Sequence, residues 1–177
     1  MADKMREIEI SLLKNRAHRL ATPIETSDDN AETERHLIFT AMESKFSVPL
    51  DFVEAVTKIS DIMPIPHTPA HIQGVIRRRG QTIALVNLRY FFTASTESLA
   101  DEDYAVVLKV KGKLFALQVE DVEGVSLLPT ASIFPVPESY DKALRPYISG
   151  ITMDDLAIIN LNEILMTPNF STTPIEG

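Results

Sequence analysis

Two stretches of this chain repeat each other in the same order, and that duplication limits the possible folds more than any other feature. Phe46 to Val56 (FSVPLDFVEAV) lies over Phe115 to Val125 (FALQVEDVEGV), with Phe, Val, Glu and Val coinciding at 46/115, 53/122, 54/123 and 56/125. Further on, Ala84 to Phe92 (ALVNLRYFF) lies over Ala157 to Leu165 (AIINLNEIL), with Ala, Asn and Leu shared. The offset is 69 residues in the first block and 73 in the second, so about four residues of loop separate the two registers. Two matched blocks in one order mark a duplicated module. Each half is roughly 65 residues, marginal as an isolated folding unit, so the halves must share a core.

The texture within each half is β-rich. Short runs of β-branched and aromatic residues, separated by Pro, Gly and Asp, predict strands at about 36–41, 45–49, 52–59, 72–78 and 81–86. A second set is predicted at about 104–110, 113–119, 122–128, 148–153 and 156–159. Short helical turns are expected after Thr68, with Pro69 at the first helical position, and after Asn87; Asn160 is expected to cap a last helix over 160–166. The fold class is therefore all-β with short helices: two packed five-stranded barrels, the first over about 36–92 and the second over about 104–160. Ahead of them, residues 3–20 place Met5, Ile8, Leu12, Leu13 and Leu20 at helical spacing, which predicts an amphipathic helix. Thr22-Pro23 stops it, and the acidic, aperiodic stretch up to Glu34 reads as a linker. Residues 168–177 read as a tail.

The chemistry a catalyst would need is missing from the pattern. The chain has no Cys, which excludes disulfides, thiolate zinc sites and cysteine nucleophiles together. Its six glycines are dispersed, so neither a P-loop nor a dinucleotide fingerprint can form, and there is no G-x-S-x-G elbow. His67 and His71 are four apart, but Thr68-Pro69 begins a helix between them; they read as surface histidines at a turn, not as metal ligands. The acidic groups Asp101-Glu102-Asp103 and Asp154-Asp155 fall where loops are expected. No metal and no cofactor is expected. With a net charge of −8, no Trp and 7% aromatic residues, the chain is unsuited to nucleic acid. No apolar run is long enough for a membrane helix and the N-terminus lacks a signal-peptide pattern, so no membrane insertion is expected and a cytoplasmic location is.

Arg77-Arg78-Arg79-Gly80 is the most unusual local feature. In a strand, Arg77 and Arg79 would share one face and Arg78 the other. Next to Val75 and Ile76, at least one arginine should lie near apolar surface and either snorkel or meet a carboxylate. A protein-contact patch built on guanidinium forks and a merely solvated strand end are the competing readings.

The stretch Leu50 to Phe92 resembles the signature of the CheW-like domain, the coupling adaptor of bacterial and archaeal chemotaxis. The resemblance rests on Val53-Glu54-Ala55-Val56, on the turn from Pro66 to Val75, on Ile76 to Gly80 and on Asn87-Leu88-Arg89. It continues through Gly124-Val125, Ile148 to Ile151 and Ile158 to Leu165, and covers about residues 35–167. It implies SH3-like barrels and a non-enzymatic function: bridging the cytoplasmic tips of chemoreceptors to the regulatory domain of a CheA-type histidine kinase, with membrane association only through receptor arrays. Carried onto this chain, the receptor side would use Val53, Gly74 and Arg79, with Glu54, Val56, Arg77, Arg78 and Gly80 around them; exposed apolar strands would meet the kinase. Glu54 stands one residue earlier than the family pattern has it, with Ala55 in its place, which in a regular strand sends the carboxylate to the opposite face. The N-terminal extension suggests an alternative: an accessory scaffold for a pilus-motility or localisation system, using residues 3–20 for a different partner.

Overall fold

The computed structural model describes residues 32–93 and 104–167; the segment 3–20, most of its linker and the tail 168–177 lie outside the described residues. The first half forms β1 (Thr33–Ala41), β2 (Ser44–Pro49), a 3-10 turn (Leu50–Phe52), β3 (Val53–Lys58), β4 (Ile72–Arg78), β5 (Gln81–Asn87) and α1 (Leu88–Thr93). The second forms β6 (Tyr104–Val110), β7 (Lys113–Val119), β8 (Asp121–Pro129), β9 (Ile148–Ile151), β10 (Ala157–Ile159) and α2 (Leu161–Met166). The ten strands are those the β-rich runs predict. Asn87 and Asn160 close their strands alike: each side-chain oxygen accepts a backbone N–H of the following helix, from Arg89 at 3.0 Å and from Glu163 at 3.4 Å. No helix follows Thr68. Its hydroxyl donates back to the Ile65 carbonyl at 3.0 Å instead of capping forward, and only a turn closed by Ile72 N–H on Pro69 C=O follows.

The strands form two five-stranded sheets, ordered β8-β1-β2-β10-β9 and β3-β6-β7-β5-β4. The expected division into a barrel over 36–92 and another over 104–160 therefore does not hold. Each barrel joins the leading hairpin of one half to the last three strands of the other. The junction is the same twice: Phe46 on β2 faces Ala157 on β10, and Phe115 on β7 faces Ala84 on β5, both in parallel pairing. These are the residues that carry the sequence repeat. A duplicated chain offers two equivalent edges to each hairpin, so hairpin signals alone cannot tell which half supplies the partner.

Each sheet closes on itself through one short bridge. Met63, beyond β3, exchanges both backbone hydrogen bonds with Val75 on β4 at 2.9 Å, and Phe134, beyond β8, does so with Ile151 on β9 at 2.8 and 3.0 Å. The main core draws on both sheets and both halves, including Leu37, Phe39, Val48, Val53, Val86, Val106, Phe115, Leu117, Ile159 and Ile164. A smaller cluster, Ala55, Ile59, Ile76, Ile83, Leu85, Ala105, Val107 and Ala116, takes the other face of the second sheet. Strand β7 is consequently buried on both faces, with Phe115, Ala116 and Leu117 all fully enclosed.

This exchange predicts that neither half folds alone. Fragments 32–93 and 104–167 should each lack a cooperative unfolding transition, and an equimolar mixture should recover one in urea titration followed by circular dichroism. A cooperative transition in either isolated fragment would contradict the reciprocal pairing.

Candidate protein-interaction surface

The arginine run sits on the hairpin between β4 and β5. Arg78 pairs with Gln81, which leaves Arg79 and Gly80 as a two-residue loop with φ of 48° and 78°. Two positive φ values in succession are the signature of a type I′ turn, the loop whose twist matches the flanking strands. The expectation that Arg77 and Arg79 share a strand face fails because the strand ends at Arg78. Arg77 and Arg79 are exposed at the tip and Arg78 is half-buried beside it. Arg78, Arg79 and Glu54 each have an interaction partner.

The other expected site residues divide by what they do for the barrel. Val53 is fully buried and Val56 nearly so, both in the main core, where no partner reaches them. Gly74 has φ of +149°, and a Cβ there would lie 2.5 Å from the Met63 carbonyl oxygen that closes the sheet. It is bare because the closing segment crosses it. Gly80 has open space around it and serves the turn.

Glu54 is the unpaired residue of a β-bulge: Val53 pairs with Leu108 and Ala55 with Val107. The extra residue resets the alternation, so Val53 and Val56 share the main core while Ala55 joins the smaller cluster. The simple argument that a one-residue displacement moves the carboxylate to the other face does not apply to a bulged strand. Glu123, its repeat partner, is skipped in the same manner between Val122 and Gly124 on β8, and it pairs with Lys45 at 3.0 Å. The shared Val-Glu-x-Val motif thus encodes a bulge in each barrel.

Two histidines are buried, contrary to the reading of His71 as a surface residue. His71 packs against the rings of Tyr90 and Phe91, with centroids 5.8 and 5.7 Å away, while His67 is exposed. Among the described residues no group of three or more His, Asp or Glu is placed to hold a metal ion. His36 lies between the Ser47 hydroxyl, 3.2 Å from Nδ1, and the Glu34 carboxylate, 3.4 Å from Nε2. The order Ser-His-Glu imitates a nucleophilic triad, but Ser47 is completely enclosed and no substrate can approach it.

A profile of the CheW-like domain matches residues 35–167, through both sheets and every motif just placed. The chain belongs to the CheW-like domain family. Among its relatives, the chemotaxis protein CheW of Klebsiella aerogenes is 25% identical over 115 residues, covering 65% of this chain and 69% of that protein. The CheW of Helicobacter pylori is 24% identical over 140 residues, covering 78% and 85%. The crystal structure of the scaffolding protein TtCheW from Thermoanaerobacter tengcongensis superposes with a TM-score of 0.68 at 25% identity, over 80% of this chain and 97% of that one. The family is one of chemotaxis scaffolds and adaptors and not of enzymes. Among the described residues no helix is long and apolar enough to cross a membrane.

Within this CheW-like frame, the closing segments at Met63 and Phe134 lie outside the strands that the β-rich runs predict. Met63 and Phe134 occupy equivalent bridges and are 42% and 46% exposed. A signal for them existed. Ile72-Gln73-Gly74 and Ile148-Ser149-Gly150 form a third block of the repeat, each with a bulge just before a glycine that the closing segment crosses.

Two outcomes are expected. Gly74→Ala should destabilise the protein by about 2 kcal/mol or more in urea unfolding, because it combines a forbidden φ with a backbone clash, whereas Gly80→Ala should cost only about 1 kcal/mol. Equal losses would remove the closure role from Gly74. Burial lowers the pKa of His36 from 6.5 against the opposing pull of Glu34, and burial lowers that of His71 likewise. The native state then binds fewer protons than the unfolded one, so the stability from both rings is complete above about pH 6.5 and is lost as pH falls through the lowered native values. Urea midpoints should drop between pH 7 and 5, and the drop should shrink in His36→Asn.

Proposed function

We propose that this chain is a chemotaxis coupling protein that bridges chemoreceptor cytoplasmic tips to the regulatory domain of a CheA-type histidine kinase. Membership of the CheW-like family carries the reading, because the family's motifs build the frame of both barrels in this chain. The arginine hairpin supports it as the receptor-side contact: guanidinium groups projecting from a rigid two-residue turn can fork onto carboxylates and carbonyl ends of a helix bundle. The exposed apolar side chains of Phe134 and Met153 are candidates for the kinase side, 46% and 85% exposed respectively. An adaptor needs such patches and register-setting charges on a frame that does not itself rearrange.

Val53, Val56 and Gly74 make poor tests of this function, since changing them damages the barrel. Arg79 makes a good one. It already adopts the left-handed conformation, so Arg79→Gly should relieve strain and stabilise the fold by about 1 kcal/mol. The same variant should weaken binding to purified receptor cytoplasmic fragments at least tenfold, with Arg79→Glu weaker still and kinase binding unchanged. Receptor affinity that stays at the parent level in both variants would remove the hairpin from the receptor interface.

A further inference from the structure

A half-open groove of about 370 Å³ runs between the β1–β2 turn, the end of α1 and the segment around Tyr140–Leu144. Its larger apolar walls are Met42, Phe46, Phe92, Tyr140, Leu144 and Ile151, and Lys45 and Asp155 are its charged members. Phe46 is a core residue, and Met42, Phe92 and Tyr140 pack onto the main core from its margin, so the groove has an apolar floor held by the core. The Phe46 and Phe92 rings, 5.2 Å apart, form its centre. The arginine hairpin contributes no wall to it, and the sheet closures contribute Ile151 alone, the partner of Phe134.

We infer that residues 3–20 of the same chain occupy this groove, laying the apolar stripe of Met5, Ile8 and Leu12 between Phe92 and Leu144. An amphipathic helix in an apolar groove, anchored at positions i, i+3 and i+7, is a recurring recognition mode. The stripe has nothing apolar to meet in its own linker, which is acidic from Glu25 to Glu34. Length permits the docking. The groove lies at the far end of β1 from Thr33, about 26 Å along the strand at roughly 3.3 Å per residue. The twelve residues 21–32 reach up to about 40 Å extended and about 20 Å on average as a flexible chain. Tethering at that range gives an effective concentration of the order of millimolar, so even a weak helix–groove contact is populated in cis. Charge favours it too: Lys45 in the groove is paired with Glu123, which leaves the lining with the negative charge of Asp155, and residues 3–20 carry five Lys and Arg against three Asp and Glu. The docking does not depend on what the adaptor couples, so its failure leaves the coupling function standing.

The absence of native Cys makes the test clean. Asn15→Cys, at the edge of the stripe, is combined in the full chain with Ser44→Cys at the groove or with Thr33→Cys at the opposite end of β1. Mild oxidation of dilute protein should form an intramolecular disulfide at least ten times faster in the groove pair than in the Thr33 pair. Adding Leu12→Asp, which precedes both barrels in the sequence, should abolish the difference, with an unchanged urea midpoint showing that the fold is intact. Equal rates in the two pairs would mean that the segment merely wanders on its tether, and disulfide dimers in place of the intramolecular product would mean that a second copy fills the groove; either result overturns the assignment.

Discussion

The fold depends on one parallel contact made twice: Phe46 against Ala157, and Phe115 against Ala84. Each contact attaches a hairpin to strands from the other half of the chain. Without it, β2 and β7 would present bare edges and the main core would divide into two pieces too small to support themselves. The chemistry of the pair explains why it is repeated. A large ring beside a small side chain lets the phenylalanine lie over its neighbour and fill the core, as Phe46 does between Phe39 and Phe92, at centroid distances of 6.2 and 5.2 Å. Long-range pairing of this type welds the two halves of the chain together, because neither barrel can open without withdrawing the hairpin of one half from the strands of the other.

That constraint separates residues that build the barrels from those exposed on them. Val53, Val56 and Gly74 hold β3 and β4 in place, and their substitution would act on the barrel before any partner arrived. Arg77 and Arg79 project from the hairpin those residues support. A motif spanning both kinds of residue looks uniform in sequence although its members have different physical duties. Glu54 stands at the boundary: as a bulge residue it bends the strand, and as a half-buried carboxylate it sits at the surface of the same element.

The strands were legible because β-branched runs between Pro, Gly and Asp carry their own period, and the helix caps were legible because Asn87 and Asn160 act on residues two and three positions away. Local chemistry is written locally. What the sequence did not disclose were the facts that depend on which edge meets which: the exchange of hairpins, the closing bridges at Met63 and Phe134, and the burial of His71 under Tyr90 and Phe91. The bulges misled for a related reason. Alternation along a strand presumes one residue opposite one residue, and Glu54 and Glu123 break that count in both halves. Arg79 was placed on a strand face because nothing in an Arg-Arg-Arg-Gly run marks its third residue as left-handed, although the glycine after it suits a two-residue turn.

The duplicated frame has been given two unlike ends. The β4–β5 hairpin presents Arg77, Arg78 and Arg79, whereas the equivalent connection in the other barrel, between β9 and β10, presents Met153, Asp154 and Asp155, all exposed. The backbone beneath is the same bulge, the same crossed glycine and the same closing bridge; only the loop chemistry differs, basic on one barrel and acidic with an exposed thioether on the other. Opposite charges at equivalent positions discriminate between partners by repulsion as well as attraction, since a surface that suits one tip is repelled by the other. A symmetric frame with equal tips could bind two copies of one partner. A frame with a basic tip and an acidic tip is suited instead to two surfaces of opposite charge.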